Sequence, residues 1–329
     1  MFNNAQIPED DEEMDELSGE EIADHFKEIV VDGSERLYHA SATAPYPFPV
    51  DTPEQKRVKK EHELLKFLLG SNLNGTISQA LIPTSSRQRV VVDLGTGPGQ
   101  WPKEMADAFS HVTFHGLDIV PIAPRVGLPD NVHFEIHDIN EPTRFLNGSI
   151  DVVHARSISL TVRDYRTIIR EAARLLRPGG VFFSGEWRRY PTFDPAIYPN
   201  NVTTPYINAP GLTRFFDQWN EILYQRLGIR PDVEREIPQL IVDSRFFTNV
   251  TPYAAFMPIG DYRFELPMKQ AGRAYRDCMS RYMESSRRLF LDSGWSNASL
   301  DTMFLNAAQN MRFVEGLGGV YYTVTAIRV

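Results

Sequence analysis

The residues with the clearest chemical meaning form one continuous stretch, Arg89-Val-Val-Val-Asp93-Leu-Gly95-Thr-Gly97-Pro-Gly99-Gln100-Trp101. An apolar run leads into a turn with glycine at every second position. Glycine adopts positive φ without strain and lets a ligand lie directly on the main chain. At the C-terminal edge of a sheet, two ligand classes use such a turn. Dinucleotides seat a pyrophosphate on the following helix N-terminus. S-adenosylmethionine has no phosphate and presents a methionine moiety and a sulfonium. Spacing separates the two. A G-x-G-x-x-G fingerprint begun at Gly95 needs glycine where Gln100 stands, and begun at Gly97 it needs glycine where Pro102 stands. An NAD-dependent oxidoreductase is disfavoured on that ground. The loop taken alone also reads as a plain structural turn.

Flanking residues weigh against the plain turn. Asp118, followed by Ile119, closes the next apolar run, 23 residues after Gly95. A carboxylate there can accept hydrogen bonds from ribose hydroxyls. Asp138-Ile139 closes the run after that, where an acid can meet an adenine amino group and an apolar side chain can cover the ring. Each acid alone reads as a strand-end turn former; their register after successive strands speaks for a shared site. Leu175-Leu176-Arg177-Pro-Gly-Gly180 marks a helix-to-strand turn.

The elements that must position these residues follow from periodicity. Strands are predicted over Arg89–Leu94, Val112–Ile119, Val132–Ile139, Ile150–His154 and Val181–Gly185. Helices are predicted over Gln100–Ser110 and Tyr165–Leu176, so the segments alternate as βα units. Near-continuous apolar strands in such units indicate a parallel, doubly wound α/β sheet. Earlier, Thr52 reads as an N-cap with Pro53 at the first helical position, Gln55 completing a capping box and Gly70 ending the helix. Ile22–Val31 reads as a short amphipathic helix and Ala40–Val50, with three prolines, as an extended loop. Beyond Glu186, Tyr190–Pro210 reads as a structured loop, Leu212–Leu227 and Met268–Met311 as helical, and Asn249–Ile259 and Gly319–Val329 as late strands. The expected organisation is a disordered acidic tail over 1–21, an N-terminal helical segment over 22–82 covering the cofactor site, and a domain over 83–329 with helical insertions at about 190–227 and 262–312.

The 329 residues carry 43 acidic and 34 basic side chains, a formal −9. Residues 1–36 hold thirteen acidic and two basic side chains, a net −11, which leaves +2 for the rest. A dense carboxylate run such as Glu9–Glu16 repels itself and has little apolar surface to offset ordering. No basic stripe with interleaved aromatics occurs, which disfavours nucleic acid. A single cysteine, Cys278, excludes an intramolecular disulfide and a cysteine zinc site, and no apolar run reaches a membrane span. The N-terminus lacks the basic start and apolar stretch of a secretory signal. A cytoplasmic protein is expected.

Together, Asp93–Gly99, Asp118, Asp138 and Arg177-Pro-Gly-Gly180 resemble a class I S-adenosylmethionine-dependent methyltransferase. Arg36-Leu-Tyr38-His39, Val50-Asp51 through Glu54, Arg57, His62, His154-Ala155-Arg156, Ile259-Gly260 and Gly294-Trp-Ser296 are similar to segments of fungal LaeA-like methyltransferases. The resemblance runs from about Tyr38 to the end. It implies a Rossmann-like, doubly wound, seven-stranded, mostly parallel sheet with an antiparallel last strand and helical lid insertions. Gly95, Gly97 and Gly99 would pass under the methionine part of S-adenosylmethionine, with Asp93 before them. Asp118 and Ile119 would hold the ribose, and Asp138 with Ile139 the adenine. Ala155 and Arg156 would line the amino-acid end, with Tyr38 closing over it. Trp101 reads as either near the cofactor or packed.

A sulfonium is already activated, so methyl transfer needs a base only where the acceptor atom carries a proton. His39, His154 and Glu186 are the candidates. His154 reads equally as a hydrogen-bonded strand-end residue, Glu186 as a partner of Arg188 or Arg189, and His39 as structural. His111, His115, His133 and His137 make no complete metal site. Phe193, Tyr198, Tyr206, Phe215, Trp219, Tyr253, Phe256, Met257 and Tyr262 read mostly as core, with a minority lining an apolar acceptor cavity. The expectation is methylation of a small apolar or aromatic metabolite in fungal secondary metabolism. The alternative is a regulatory methyltransferase, nuclear and joined to protein partners through the acidic N-terminus.

Overall fold

The computed structural model describes residues 23–71, 74–85, 87–124, 126–198 and 204–329. The acidic run at 9–16 lies outside the described residues.

The first elements are strands β1 (Phe26–Val31) and β2 (Ser34–His39), an antiparallel hairpin with Val31 opposite Ser34. This corrects the helix expected over Ile22–Val31. Asp32 and Gly33 both take positive φ, 50° and 78°, the turn that matches strand twist. That local turn chemistry outweighs the weak helical spacing.

Helix α1 (Thr52–Leu69) starts one residue earlier than the Thr52 cap implied. Asp51 is the cap: it accepts from the Glu54 N–H and, through its other oxygen, from Arg36 Nε at 2.6 Å. One carboxylate therefore caps the helix and ties it to the hairpin. Gln55 donates to the Val50 carbonyl instead of closing a capping box. Gly70 ends the helix at φ 74°, as read. The short helix α2 (Gly75–Ala80), capped by Asn74, was not read from the sequence.

The βα series then follows: β3 (Arg89–Leu94), α3 (Gln100–Ala108), β4 (Val112–Asp118), β5 (Val132–Ile136), β6 (Ile150–Arg156), α4 (Tyr165–Leu175) and β7 (Leu176–Trp187). β8 is a two-residue strand (Thr192–Phe193). Helices α5 (Thr204–Asn208), α6 (Pro210–Ile222) and α7 (Val233–Ser244) precede β9 (Phe247–Pro258). Helices α8 (Leu266–Asp292) and α9 (Asn297–Phe313) lead to β10 (Leu317–Arg328). The sheet order is β5-β4-β3-β6-β7-β10, with β9 along β10 and β8 at its start. β5 to β7 are parallel and β10 is antiparallel to β7. The sheet is the expected doubly wound one: a seven-stranded, mostly parallel core with an antiparallel last strand, joined by the small strand β8.

Both faces are covered. Trp101, Met105, Ile77 and Leu81 bury one side of β3 and β4, and Ile168, Ala172, Ile237 and Ile241 bury the other. A third core, built from α6, α8 and α9 around Trp219 and Phe290, stands over the strand ends and takes in Phe48 and Leu64. Arg177 pairs at 2.7 Å with Asp151, a wholly buried carboxylate at the start of β6 that also meets Arg87 and Arg89. The Arg177-Pro-Gly-Gly turn thus locks the sheet edge opposite the glycine loop.

Candidate cofactor and acceptor cavity

Parallel strands deliver their C-terminal ends to one edge. Asp118 ends β4, Gly95–Pro98 follow β3, Arg156 ends β6 with Ser157–Thr161 after it, and Glu186 and Trp187 end β7 with Arg188 and Arg189 after them; all line one cavity. α1 closes it with Glu54, Arg57, Glu61 and His62, and α8 with Tyr275, Cys278, Met279 and Tyr282.

The glycines divide by role. Gly95 and Gly97 take φ of 69° and 56° and both line the cavity. A Cβ on Gly95 would strike Ile158 Cγ2 at 2.6 Å, whereas one on Gly97 would meet no protein atom within 4 Å. Gly97 therefore presents bare backbone to open space. Gly99 is outside the lining, and a Cβ there would run into the Phe134 ring. Its expected place under a cofactor is corrected: Gly99 lets α3 pack on the sheet.

Asp118 is half-buried at the cavity floor. Oδ2 accepts from Gly97 N–H at 2.8 Å and Oδ1 from Val120 N–H at 3.3 Å. Desolvation lifts its carboxyl to about 6, against the lowering effect of those amide hydrogen bonds. Ile119 also lines the cavity. Asp93 does too, but its oxygens are committed to Thr96 Oγ1 at 2.7 Å and His154 Nδ1 at 2.6 Å.

Several expected residues lie elsewhere. Asp138 accepts from Thr43, from the Asn140 amide N–H and from its side chain, and neither it nor Ile139 lines the cavity. Its carboxylate is spent in its own turn. Val120, Ile122 and Thr161 line the wall beside Ile119. Ala155 is buried within β6, and of this strand end Arg156 and Ser157 line the cavity. Tyr38 is also outside the lining. Its ring is covered by the Arg288 guanidinium at 4.4 Å, and the tyrosine of this N-terminal segment that reaches the cavity is Tyr46. Trp101 is packing: its ring stacks on His154 at 3.6 Å.

Of the three candidate bases, Glu186 alone lines the cavity. Burial raises its carboxyl to about 7, against hydrogen bonds from Ser159 and the Ile158 amide that lower it. His154 is sealed between Trp101 and Phe183 and bonded to Asp93, and burial lowers its pKa. His39 Nε2 lies 2.8 Å from the Tyr46 carbonyl and outside the lining.

Sequence reasoning missed the polar seam of α1. Buried Arg57 pairs with Glu54 at 2.8 Å and Glu61 at 2.6 Å, with its guanidinium against the Phe48 and Tyr282 rings. Glu61 also accepts from Ser157 Oγ and Trp187 Nε1, each at 3.1 Å. Acids and bases recurring every three or four residues from Glu54 to His62 were the available signal. His62, Glu63 and Glu104 also converge, but Lys66 already bridges the two carboxylates.

None of the nine apolar and aromatic residues singled out for an acceptor wall lines the cavity. Trp219 is fully buried between Phe48 and Phe290, with Nε1 bonded to Tyr282, and Tyr206 faces outward. Phe216, Tyr275, Met279, Tyr282, Tyr46 and Phe48 form the wall instead.

The residues fit S-adenosylmethionine: open backbone at Gly97, a desolvated acceptor at Asp118, and carboxylates of Glu61, Asp93 and Glu186 around a space suited to a cation. Comparison with known proteins agrees. A family described as "Methyltransferase domain" matches residues 66–222. "Secondary metabolism regulator laeA" of Coprinopsis cinerea is 27 % identical over 277 residues, 83 % of this chain and 67 % of that protein. "Methyltransferase pytC" of Aspergillus terreus is 34 % identical over 146 residues, 44 % of this chain and 43 % of that protein. "Methyltransferase str2" of Strobilurus tenacellus is 27 % identical over 137 residues, 41 % of this chain and 46 % of that protein. The chain carries a class I, S-adenosylmethionine-dependent methyltransferase domain resembling the LaeA-like methyltransferases.

Proposed function

We propose that this domain methylates a small apolar or aromatic metabolite in fungal secondary metabolism. The observation that carries the reading is one cavity with two unlike ends. Asp118 and the Gly95–Pro98 loop make a polar floor, and Phe216, Tyr275, Met279 and Tyr282 make an apolar wall under the lid helices. A flat apolar acceptor would bury its surface on that wall with few hydrogen bonds.

Bound S-adenosylmethionine supplies an electrophilic methyl on a sulfonium, which becomes a thioether when the methyl leaves. The chain's own residues supply position and exclusion of water. Asp118 fixes the ribose end by accepting hydrogen bonds, and Gly97 lets the ligand lie on the main chain. α1 and α8 hold the acceptor against it. Where the accepting atom carries a proton, Glu186 is the cavity group that can hold it near neutral pH, at the oxygen not engaged by Ile158. The test is turnover of isolated metabolites with methyl-labelled S-adenosylmethionine. Labelled product formed without any added protein, and reduced by Tyr282→Ala, supports the reading; label appearing only in protein overturns it.

A second reading is a regulatory methyltransferase acting through protein partners, in the nucleus instead of the cytoplasm. It is favoured by the 83 % coverage of this chain by a relative named as a regulator and by the −11 net charge of residues 1–36. Co-purifying partners lost on deletion of residues 1–20 would support it.

A further inference from the structure

Behind Glu186 lies a buried arginine without a carboxylate partner. Arg189 follows β7 and is 4 % exposed. Nε donates to Asn220 Oδ1 at 3.2 Å, Nη1 to Ser159 Oγ at 2.8 Å and Nη2 to the Arg230 carbonyl. The Asn220 side-chain nitrogen donates back to the Arg189 carbonyl at 2.9 Å, which fixes the amide in that orientation. All three acceptors are neutral, and among the described residues Arg189 forms no ion pair. A buried guanidinium stays charged and needs a negative charge close by.

Two buried carboxyls feel that charge. Ser159 Oγ accepts from Arg189, which leaves its hydroxyl hydrogen for the first of them, Glu186. The second is Glu234, the second residue of α7 and 1 % exposed. Both of its carboxyl oxygens are buried and have no hydrogen-bond partner among the described residues. The start of a helix favours a negative group there. Burial raises both carboxyls to about 7, and the charge of Arg189 lowers each. The other charged and titratable groups around the pair are engaged or neutral. Arg188 leans on Asp232 at 3.7 Å and Arg230 on Glu236 at 2.9 Å. Tyr165 from α4 and Tyr321 from β10 face Glu186 as phenols that burial keeps neutral. Arg189 is the cation that Glu186 and Glu234 share.

We propose that Glu234 is the standing counter-ion of Arg189 and so a positioning residue for Glu186: it balances the arginine while Glu186 takes the acceptor's proton. This deepens the proposed function and rests on it. Glu186 receives the proton of the accepting atom as that atom gains the methyl and the C–S electron pair stays on sulfur. Glu186 turns neutral in that step. Were it the only carboxylate near Arg189, a buried cation would be stranded and the proton transfer opposed. With Glu234 ionised, Arg189 is balanced before and after.

The test is a pH titration of the full chain by NMR, with glutamate isotope-labelled at the side-chain carboxyl carbon. The two signals are assigned by their loss in Glu186→Gln and Glu234→Gln. In the wild type the pair should titrate in two coupled steps. Glu234→Gln should lower the pKa of Glu186 by roughly one unit, a tenfold change in proton affinity, because Arg189 then has Glu186 alone. Glu186→Gln should lower Glu234 by the same factor, since coupling between two sites is reciprocal, and this arm decides if the first variant does not fold. Arg189→Gln should raise both, and Glu234→Asp, which keeps the charge, should leave Glu186 near its wild-type value. If either carboxyl keeps its proton affinity within about twofold when the other is replaced, the two are not coupled and the proposal is wrong. If the coupling is present and Glu186→Gln still methylates isolated metabolites at the wild-type rate, the reading of Glu186 as the base fails instead.

Discussion

At the scale of single residues, the glycine loop contains two different demands that the spacing alone made look alike. Gly97 faces open cavity, whereas Gly99 faces the Phe134 ring. Both take positive φ, so alanine carries a similar backbone penalty of about 1 kcal/mol at each. Gly97→Ala should lose most S-adenosylmethionine affinity with only that modest loss of stability. Gly99→Ala should lose about 1–3 kcal/mol more in urea unfolding, because the half-buried Phe134 ring must be displaced. Calorimetry and denaturation on the pair separate the two roles. Asp118 yields a pH prediction. Its carboxyl titrates at about 6 in the folded protein, above its ordinary 3.8. Only the ionised form accepts from both ribose hydroxyls, so affinity for S-adenosylmethionine should rise with pH through about 6. Asp118→Asn should flatten that rise and bind about tenfold more weakly. For stability the sign is opposite. A raised carboxyl pKa means the folded state holds the proton longer, so its contribution is full below 3.8 and is lost as pH rises through about 6. Removing that titration in Asp118→Asn should therefore make the variant the more stable of the two above pH 6, by about 1–3 kcal/mol, as read by thermal unfolding at pH 4 and 7.5.

At the scale of elements, the parallel strands and the turns between them were legible because they obey local rules. Val90, Val91 and Val92 make a strand buried on both faces, and Asp93-Leu-Gly95 announces the turn that follows. The hairpin at 26–39 was missed because Asp32-Gly33 is a two-residue signal set within a sequence of helical appearance. The acceptor wall was missed for a different reason. Helical spacing places Phe215, Phe216 and Trp219 together, but only the crossing of α6 with α8 and α9 decides which face is core, and it leaves Phe216 alone at the cavity. That crossing is long-range information. So is the partner of α1, whose charged stripe docks on α8: Glu54 Oε2 accepts from Ser285 Oγ, and the Cys278 thiol faces the Arg57 carbonyl. Arg57 is the keystone of this seam. Arg57→Ala would leave Glu54 and Glu61 buried without their cation, and unpaired buried charge costs about 3–5 kcal/mol. The expected result is a loss of that size in urea unfolding. Arg57→Ala combined with Glu54→Gln and Glu61→Gln should recover a substantial part, because the stranded charges are then gone.

At the scale of the whole molecule, charge and site are separate. The described chain from residue 23 builds the cavity entirely from positions between Tyr46 and Tyr282. The sequence's formal −9 combines −11 in residues 1–36 with +2 elsewhere. Exposed charges more than a Debye length apart, about 8–10 Å in ordinary buffers, scarcely influence one another. On the proposed function, cofactor binding therefore turns on the local arrangement of Asp93, Asp118, Glu61, Arg156 and Glu186, which line the cavity, and not on the acidic excess. Deleting residues 1–20 should leave the affinity for S-adenosylmethionine within about twofold at 0.15 M salt, since no residue of the cavity is removed and screening covers the remainder. The same deletion should raise the pI, because eight of the 43 acidic side chains and no basic one lie in that segment. If calorimetry instead showed affinity falling tenfold, the N-terminal segment would have to contribute to the cavity directly. An unchanged affinity assigns the acidic segment to something other than cofactor binding.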